Sequence, residues 1–487
     1  MSSSPETFDV VVVGAGVSGI NCAYRIKTEL PGASFTVLEG RDDIGGTWDF
    51  FKFPGVRSDS DLYTYAFSWH LWPHENPIGQ GAQIKQYIAD CVSEHEIDRF
   101  IRLRHKVLSA DWSSETQEWR LLVAHDGTVK DIRAGWLVMG TGYYDYTVPL
   151  ETEIPGLDTF KGKIIHPQFW PQDYDYSDRK IAIVGSGATA VSLLPKLAEK
   201  AAQVTVVQRS PTWVISSKHL GPTLSSLQRY LPFRVPFLKR WDRAWVAVTT
   251  YLTTVFCRRY PARATALVRD LTIPQLPKGL DADLHFKPRY SPWEQRLCLA
   301  LDGDYFEALG RPNAGIVTGV IDGVDENAIR MRDGTVVEVD TIVKATGLRM
   351  RLGGDVALTV DGREVTWGGR FVWNGAMVQD VPNMVYMVGY TNGAWTLGAD
   401  CTAYILVRLV RLMESKGARA AVPRVPEKGF SSTERFFQLS STYIRKAESE
   451  GFLPSYGDYG PWKPKVNPLA DYLHSHWGNI ETGLSFS

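Results

Sequence analysis

Cysteine is scarce and scattered. The chain holds five, Cys22, Cys91, Cys257, Cys298 and Cys401, and none has a neighbour at CxxC or metal-ligand spacing. An odd, dispersed set excludes a disulfide framework and points to a reducing, intracellular setting. It also argues against a reductase of the pyridine-nucleotide disulfide type, because neither Cys22 nor Cys91 has the close partner a redox-active pair needs. Excess charge is lacking as well. With 53 basic and 54 acidic residues the formal net charge is −1, so neither nucleic acid nor an anionic membrane is expected as the main partner. Long apolar runs are short or broken. The stretch from Val381 to Ala399 is interrupted by Pro382, Asn383, Gly389, Asn392 and Gly393, and Ala244 to Cys257 is too short for a bilayer, so no membrane span is expected. The start, Met1 to Asp9, has neither the basic residues nor the apolar stretch of a signal peptide, and Leu-Ser-Phe-Ser at the end is not a peroxisomal tripeptide. A cytoplasmic location is the expectation.

What is present is enough chain for two or three domains: 487 residues, 44% of them hydrophobic, a composition able to bury large cores. Aromatic residues are plentiful, with 16 Trp, 21 Tyr and 20 Phe, which is compatible with a large apolar pocket as well as with ordinary core. Phe67, Trp69, Trp72, Tyr143 and Tyr144 fit either use.

The first strong motif is a β-branched run, Phe8–Val13, leading into Gly14-Ala-Gly16-Val-Ser-Gly19 and a helical stretch that Pro31 stops. A second strand, Ser34–Leu38, ends in Glu39, 20 residues past Gly19. In a βαβ unit such glycines permit a tight turn and close backbone approach. The pyrophosphate sits on the helix N-terminus and the acid binds a ribose hydroxyl. A free ribose 2′-hydroxyl fits FAD or NAD. The pattern repeats at Lys180–Val184, followed by Gly185-Ser-Gly187-Ala-Thr189-Ala190 and a helix that runs through Leu194, where Pro195 predicts a kink. Its second strand, Val204–Val207, leads to Gln208-Arg209-Ser210 instead of an acid. Without a carboxylate the 2′-phosphate of NADP is not repelled, and Arg209 can pair with it, although a surface arginine also fits the position. One FAD-type and one NADP-type fold in a chain predict an α/β flavoprotein that accepts hydride from NADPH.

Two longer patterns surround these folds. Phe160-Lys-Gly162-Lys-Ile-Ile-His166-Pro-Gln-Phe-Trp170-Pro171 matches FxGxxxHxxxW(P/D) without a gap. Gly45-Gly46-Thr47-Trp48, continuing to Phe53-Pro54-Gly55 and Asp59, matches (A/G)GxWxxxx(F/Y)P(G/M)xxxD. On these residues the chain resembles the class B flavoprotein monooxygenases, specifically their Baeyer–Villiger branch. Similarity runs from Phe8 to about Ala403. Arg57-Ser-Asp59-Ser-Asp61 and Ser291-Pro-Trp-Glu-Gln-Arg296-Leu-Cys298 make it most like the compact ethionamide-activating type.

The resemblance implies an enzyme in which NADPH reduces FAD, dioxygen forms a C4a-peroxyflavin, and one oxygen atom enters a ketone to give an ester or lactone. An apolar ketone or sulfide and O2 are the implied small-molecule partners. Heteroatom oxygenation at sulfur or nitrogen is the alternative outcome of the same intermediate, and a flavin- and NADP-binding reductase or sensor is the remote one. Asp59 corresponds to the family's active-site aspartate, while the residues alone also fit a pair of solvated turn acids, Asp59 and Asp61. Arg296 corresponds to the essential arginine, and a helix-surface arginine paired with Asp302 or Asp304 fits as well. Gln295 stands where relatives often carry a lysine for the NADP phosphate, which leaves that task to Arg209 and Ser210. His166 would be structural and regulatory, coupling domain motion to catalysis. In the family a turn like Ala345-Thr346-Gly347 returns the chain to the FAD domain, and the helix near Trp395 directs its N-terminus at the flavin. The implied FAD-binding set is Gly14, Gly16, Gly19, Glu39, Gly46, Thr47, Trp48 and Asp59. For NADP it is Gly185, Gly187, Thr189, Ala190, Arg209 and Ser210. The expected organisation is an FAD-binding domain formed by 1–150 and 350–487, the latter including the tail, around an NADP-binding domain at 151–349. A helical insertion is expected at about 212–290.

Overall fold

The computed structural model describes residues 5–217, 238–295, 297–391, 393–439 and 441–487. Strands from both halves of the chain build the larger sheet. β1 (Glu6–Val13) lies between β2 (Phe35–Leu38) and β6 (Thr128–Met139), parallel to each, with β3 (Ile101–Arg102) outside β2. β6 serves two partners along its other edge. Its first half pairs antiparallel with β5 (Glu118–His125), which continues to β4 (Lys106–Ser113). Its last residues pair in parallel with a strand from far along the chain, described below.

The second sheet is parallel throughout, in the order β12 (Ala314–Thr318), β9 (Gln203–Gln208), β8 (Lys180–Val184), β16 (Thr341–Lys344), β7 (Lys163–Ile165). The parallel strands β10 (Val214–Ser216) and β11 (Cys298–Ala300) pair beside it. A three-stranded antiparallel sheet, β13 (Ile321–Val324), β14 (Ala328–Met331) and β15 (Val336–Glu338), completes this part. The chain then returns to the larger sheet. β17 (Ala357–Val360) extends β4 and β18 (Arg363–Glu364) extends β17. β19 (Val372–Trp373), β20 (Met377–Val378) and β21 (Met384–Tyr386) reach the end of β6.

Both sheets bury their central strands on two faces, which is why Val10–Val13 and Ile181–Val184 read as unbroken apolar runs. α1 (Val17–Glu29) crosses from β1 to β2. α2 (Thr47–Phe50), α3 (Leu62–Tyr65) and α4 (Gly81–Glu94) follow. α5 (Ala188–Leu197) crosses from β8 to β9. It runs three residues beyond Leu194 and includes Pro195. Pro195 cannot donate to the carbonyl of Val191, but only Lys196 and Leu197 follow it in the helix, so one ladder bond is lost and the final turn is kept. The expected insertion consists of β10, α6 (Leu238–Arg259), α7 (Pro261–Thr272) and α8 (Ala282–His285) among the described residues, followed by α9 (Asp304–Leu309).

α10 (Trp395–Lys416) lies on α1, so the first and last thirds of the sequence share one core that includes Ile20, Ala23, Ile26, Ala403, Leu406 and Leu409. The tail holds α11 (Thr442–Ser449) and α12 (Pro468–Trp477). It buries Phe437, Ile444 and Trp462 against the rest of the molecule. No described helix is long and apolar enough to cross a membrane.

Candidate active site

The turn between β1 and α1 is possible only with glycine. Gly14 has φ +99°, and a Cβ there would lie 2.8 Å from the carbonyl oxygen of Gly140; at Gly19 it would lie 1.8 Å from that of Gly14. α1 begins with neither a side-chain cap nor an acid in its first turn, so its leading N–H groups suit an anion. Gly16 faces Gly46, the residue before α2, at 3.4 Å from a built Cβ to Gly46 Cα. Glu39 follows β2 directly and is buried. Its carboxylate accepts from the backbone N–H of Ala15 (2.8 Å) and of Arg41 (3.0 Å), and it retains lone pairs for a ribose hydroxyl. Thr47 Oγ1 lies 3.1 Å from Tyr146 Oη, and Trp48 Nε1 donates to Tyr65 Oη at 2.7 Å, which fixes the α2 segment against the cavity wall.

The second turn repeats the device. Gly185 has φ +136°, and a Cβ there would lie 2.2 Å from the oxygen of Ala345. At Gly187 a Cβ meets nothing within 4 Å, so the space over the start of α5 is open to a ligand. α5 likewise begins without a cap or an acid. Thr189 borders the cavity, whereas Ala190 is buried behind it. Arg209 occupies the position after β9 that Glu39 occupies after β2. It is exposed, donates to Thr442 Oγ1 of α11 at 3.4 Å, and lies beside Ser210, whose carbonyl accepts from Ser186 Oγ at 3.0 Å.

The first glycine turn opens on a cavity of about 560 Å³ that extends to the start of α5, bordered by Gly14, Gly16 and Glu39 on one side and by Ala188, Thr189 and Ala345 on the other. Asp59 and His166 border it too. Asp61 does not. Its side chain caps α3, accepting from Thr64 N at 2.8 Å and Thr64 Oγ1 at 2.6 Å, and burial pushes its carboxyl up. Of the two neighbouring acids, one is a half-buried helix cap and the other faces the cavity. Arg296 lies outside the described residues.

His166 lies 3.6 Å from Glu151, which in turn holds the buried Lys344 at 2.7 Å. Burial, and then the Lys344 cation, keep the His166 imidazole below its ordinary range despite Glu151, so it is neutral near pH 7. The cavity wall therefore carries a neutral imidazole at this point, not a resident cation.

Sequence reasoning missed several groups in this cavity. Arg57 forks onto Asp304 at the start of α9, with Nη2 to Oδ1 at 3.1 Å and Nη1 on the other oxygen. It thereby ties the loop before α3 to the second sheet's helices. Lys344 and Gln168 also border the cavity. Gln168 donates to the carbonyl of Asp145, while its buried Oε1 has no partner among the described residues, an acceptor left for a bound group. The signal for Lys344 was a lysine closing the otherwise apolar strand Ile342–Lys344; the signal for Arg57 was its place two residues before Asp59. Tyr143 and Tyr144 border the cavity, whereas Phe67 and Trp72 are core and Trp69 stacks between Tyr24 and Phe67. The start of α10 approaches from the far side: Trp395 borders the cavity and its Nε1 donates to Ser18 Oγ at 2.8 Å.

Residues 8–223 match the family described as flavin-binding monooxygenase-like. The chain is 40% identical to the FAD-containing monooxygenase EthA of Mycolicibacterium smegmatis, across 99% of this chain and 97% of that one. It is 36% identical to the putative FAD-containing monooxygenase MymA of Mycobacterium tuberculosis, across 94% and 93%. To the probable FAD-binding monooxygenase AlmA of Acinetobacter baylyi it is 34% identical, across 95% and 92%. Among solved structures its fold is similar to an oxidized steroid monooxygenase bound to NADP, with a TM-score of 0.71 at 19% identity over 99% of each chain. It is also similar to an open cyclohexanone monooxygenase, with a TM-score of 0.73 at 19% identity over 99% and 100%.

Proposed function

Because the chain belongs to the flavin-binding monooxygenase-like family of FAD-containing monooxygenases, we propose that it uses FAD and NADPH to insert one atom of dioxygen into a ketone, giving an ester or lactone. The observation that supports this reading is the single cavity that runs from the first glycine turn to the start of α5, with Asp59 and His166 in its wall. Hydride transfer brings nicotinamide and flavin together in a reductase as in an oxygenase, and an oxygenase needs in addition a space that excludes water.

The residues fit the two groups. FAD would be held by Gly14, Gly16 and Gly19 at the start of α1, by Glu39 on its ribose, and by the Gly46-Thr47-Trp48 segment. NADPH would be held by Gly185, Gly187, Thr189 and Ala190 at the start of α5, with Arg209 and Ser210 at its 2′-phosphate. When bound, the flavin supplies hydride acceptance and dioxygen activation.

The chain's own side chains do the rest. Arg296 contributes positive charge where oxyanion character develops, an interaction that a dry cavity strengthens. Asp59 orients that arginine and balances its charge. His166, Glu151 and Lys344 join the strand ends of the second sheet to the linker at 151, so that movement between the folds is transmitted to the cavity. Arg57 and Asp304 fix the distance between the two halves.

Arg296→Ala, prepared with full flavin content, is expected to lose ester formation from an aliphatic ketone by about 10²–10³-fold. Gas chromatography of the product with parallel flavin absorbance reads this directly. A variant that oxygenates as well as wild type would remove Arg296 from the reaction.

A further inference from the structure

α6 leaves an ordered set of large apolar side chains in water. Trp241, Trp245, Val248, Leu252 and Val255 recur at alternating intervals of four and three residues, and all are exposed, Trp241 by 60%, Trp245 by 54% and Leu252 by 57%. That spacing forms one stripe along a helix. The opposite side faces the protein through Asp242, Val246 and Cys257. α12 continues the surface. Asn467, just before it, donates to Tyr251 Oη of α6 at 3.1 Å, and Leu469 and Trp477 are 64% and 70% exposed. Apolar residues scattered singly need no partner, but a continuous stripe of this kind marks an interaction surface.

Charge identifies the partner. Across α6 and α7 the chain carries Lys239, Arg240, Arg243, Arg258, Arg259, Arg263 and Arg269, the last paired with Asp283, against two acids, the fully buried Asp242 and the exposed Asp270. Arg240, Arg258, Arg259 and Arg263 are exposed and lie at both ends of the stripe. A second copy laid on this face, parallel or antiparallel, would bring basic ends onto basic ends. Anionic headgroups pair with both ends while the tryptophans enter the interfacial layer. The whole-chain charge of −1 conceals this local concentration.

The inner side of the same helix borders a second cavity of about 80 Å³, with Ala247, Tyr251 and Thr254 facing Tyr390 and Leu397. Gly393 borders both this cavity and the main one. We propose that the α6–α12 face docks reversibly on an anionic lipid surface, and that apolar substrates dissolved in the lipid reach the active site beneath α6. Docking stands apart from the reaction proposed above; delivery rests on it.

The test is flotation of the flavin-loaded full chain with vesicles of phosphatidylglycerol and phosphatidylcholine, against vesicles of phosphatidylcholine alone. Wild type floats with the anionic vesicles, and the bound fraction falls as salt is raised. Trp245→Glu with Leu252→Glu, and separately Arg259→Glu with Arg263→Glu, lower that fraction by at least about tenfold while NADPH oxidation in buffer is unchanged. Wild type that stays off anionic vesicles overturns the docking, as does binding undiminished in both variants. A dimer in light scattering that the Trp245/Leu252 variant splits, without vesicle binding, assigns the face to a second copy instead. For delivery, turnover of a lipid-dissolved ketone falls in both variants while turnover of a water-soluble ketone is kept. Equal turnover of the two ketones in every variant overturns delivery, whereas absence of oxygenation with either ketone in wild type is a failure of the proposed reaction and leaves docking to be judged by flotation.

Discussion

Glu39 and Arg209 occupy the same place in two copies of one structural unit, the residue after the second strand, and carry opposite charges, which is what the proposed assignment of a free ribose to one and a ribose 2′-phosphate to the other requires. Glu39 is buried and already braces the loop through Ala15 and Arg41. Arg209 is exposed, with one long contact to Thr442, and is therefore available to a phosphate. Loss of a charge-assisted hydrogen bond costs about 1.5–3 kcal/mol. Arg209→Ala is accordingly expected to raise KM for NADPH by about 10–100-fold and to leave KM for NADH within about twofold. Steady-state kinetics with both nucleotides decide this, and equal changes in the two would refute it. The glycines and Glu39 were legible in the sequence because their spacing is local. Arg57 was not, since its meaning lies in Asp304, a partner 247 positions away. Lys344 acquires its role only when Glu151 folds back on it across 193 positions.

Among the elements, the joint between α1 and α10 holds the larger fold closed. Asp400 of α10 accepts from Arg25 Nε at 2.8 Å and Nη2 at 2.9 Å, and also from Asn21 and Ser68. Burial pushes the Asp400 carboxyl up, but the hydrogen bonds and charge of Arg25, helped by Ser68 and Asn21, outweigh it and hold the group below its ordinary range. A depressed folded value means that the stabilisation is present above the unfolded value and is lost as pH falls through the folded one. Asp400→Asn leaves Arg25 buried without its counter-charge and is expected to cost about 3–5 kcal/mol near neutral pH. In urea unfolding the gap between wild type and variant should stay level down to about pH 5 and narrow below about pH 4. A gap that widens on acidification would contradict the assignment. The helix start near Trp395 was legible from the strand and turn before it; that α10 lies on α1 was not, because no local pattern encodes a pairing across the whole chain. The same holds for α11 and α12, whose docking depends on surfaces built elsewhere.

For the whole molecule, two nucleotide-type folds must be held in register around one cavity, and Arg57 with Asp304 is one ionic fastening between them. Misplacing reacting groups by about 1 Å can cost on the order of 10²-fold in rate. Arg57→Ala is therefore expected to lower kcat for ketone oxygenation by about 10–100-fold with flavin content retained, as steady-state rates and flavin absorbance would show. An unchanged kcat would make the pair a surface detail. Reaction of the flavin-loaded enzyme with NADPH, an aliphatic ketone and isotope-labelled dioxygen decides whether the two folds serve one oxygenating cavity. One labelled oxygen atom is expected in each ester or lactone, with one NADPH consumed per product. NADPH oxidation that yields hydrogen peroxide in equal amount, with no label in any product, would contradict it.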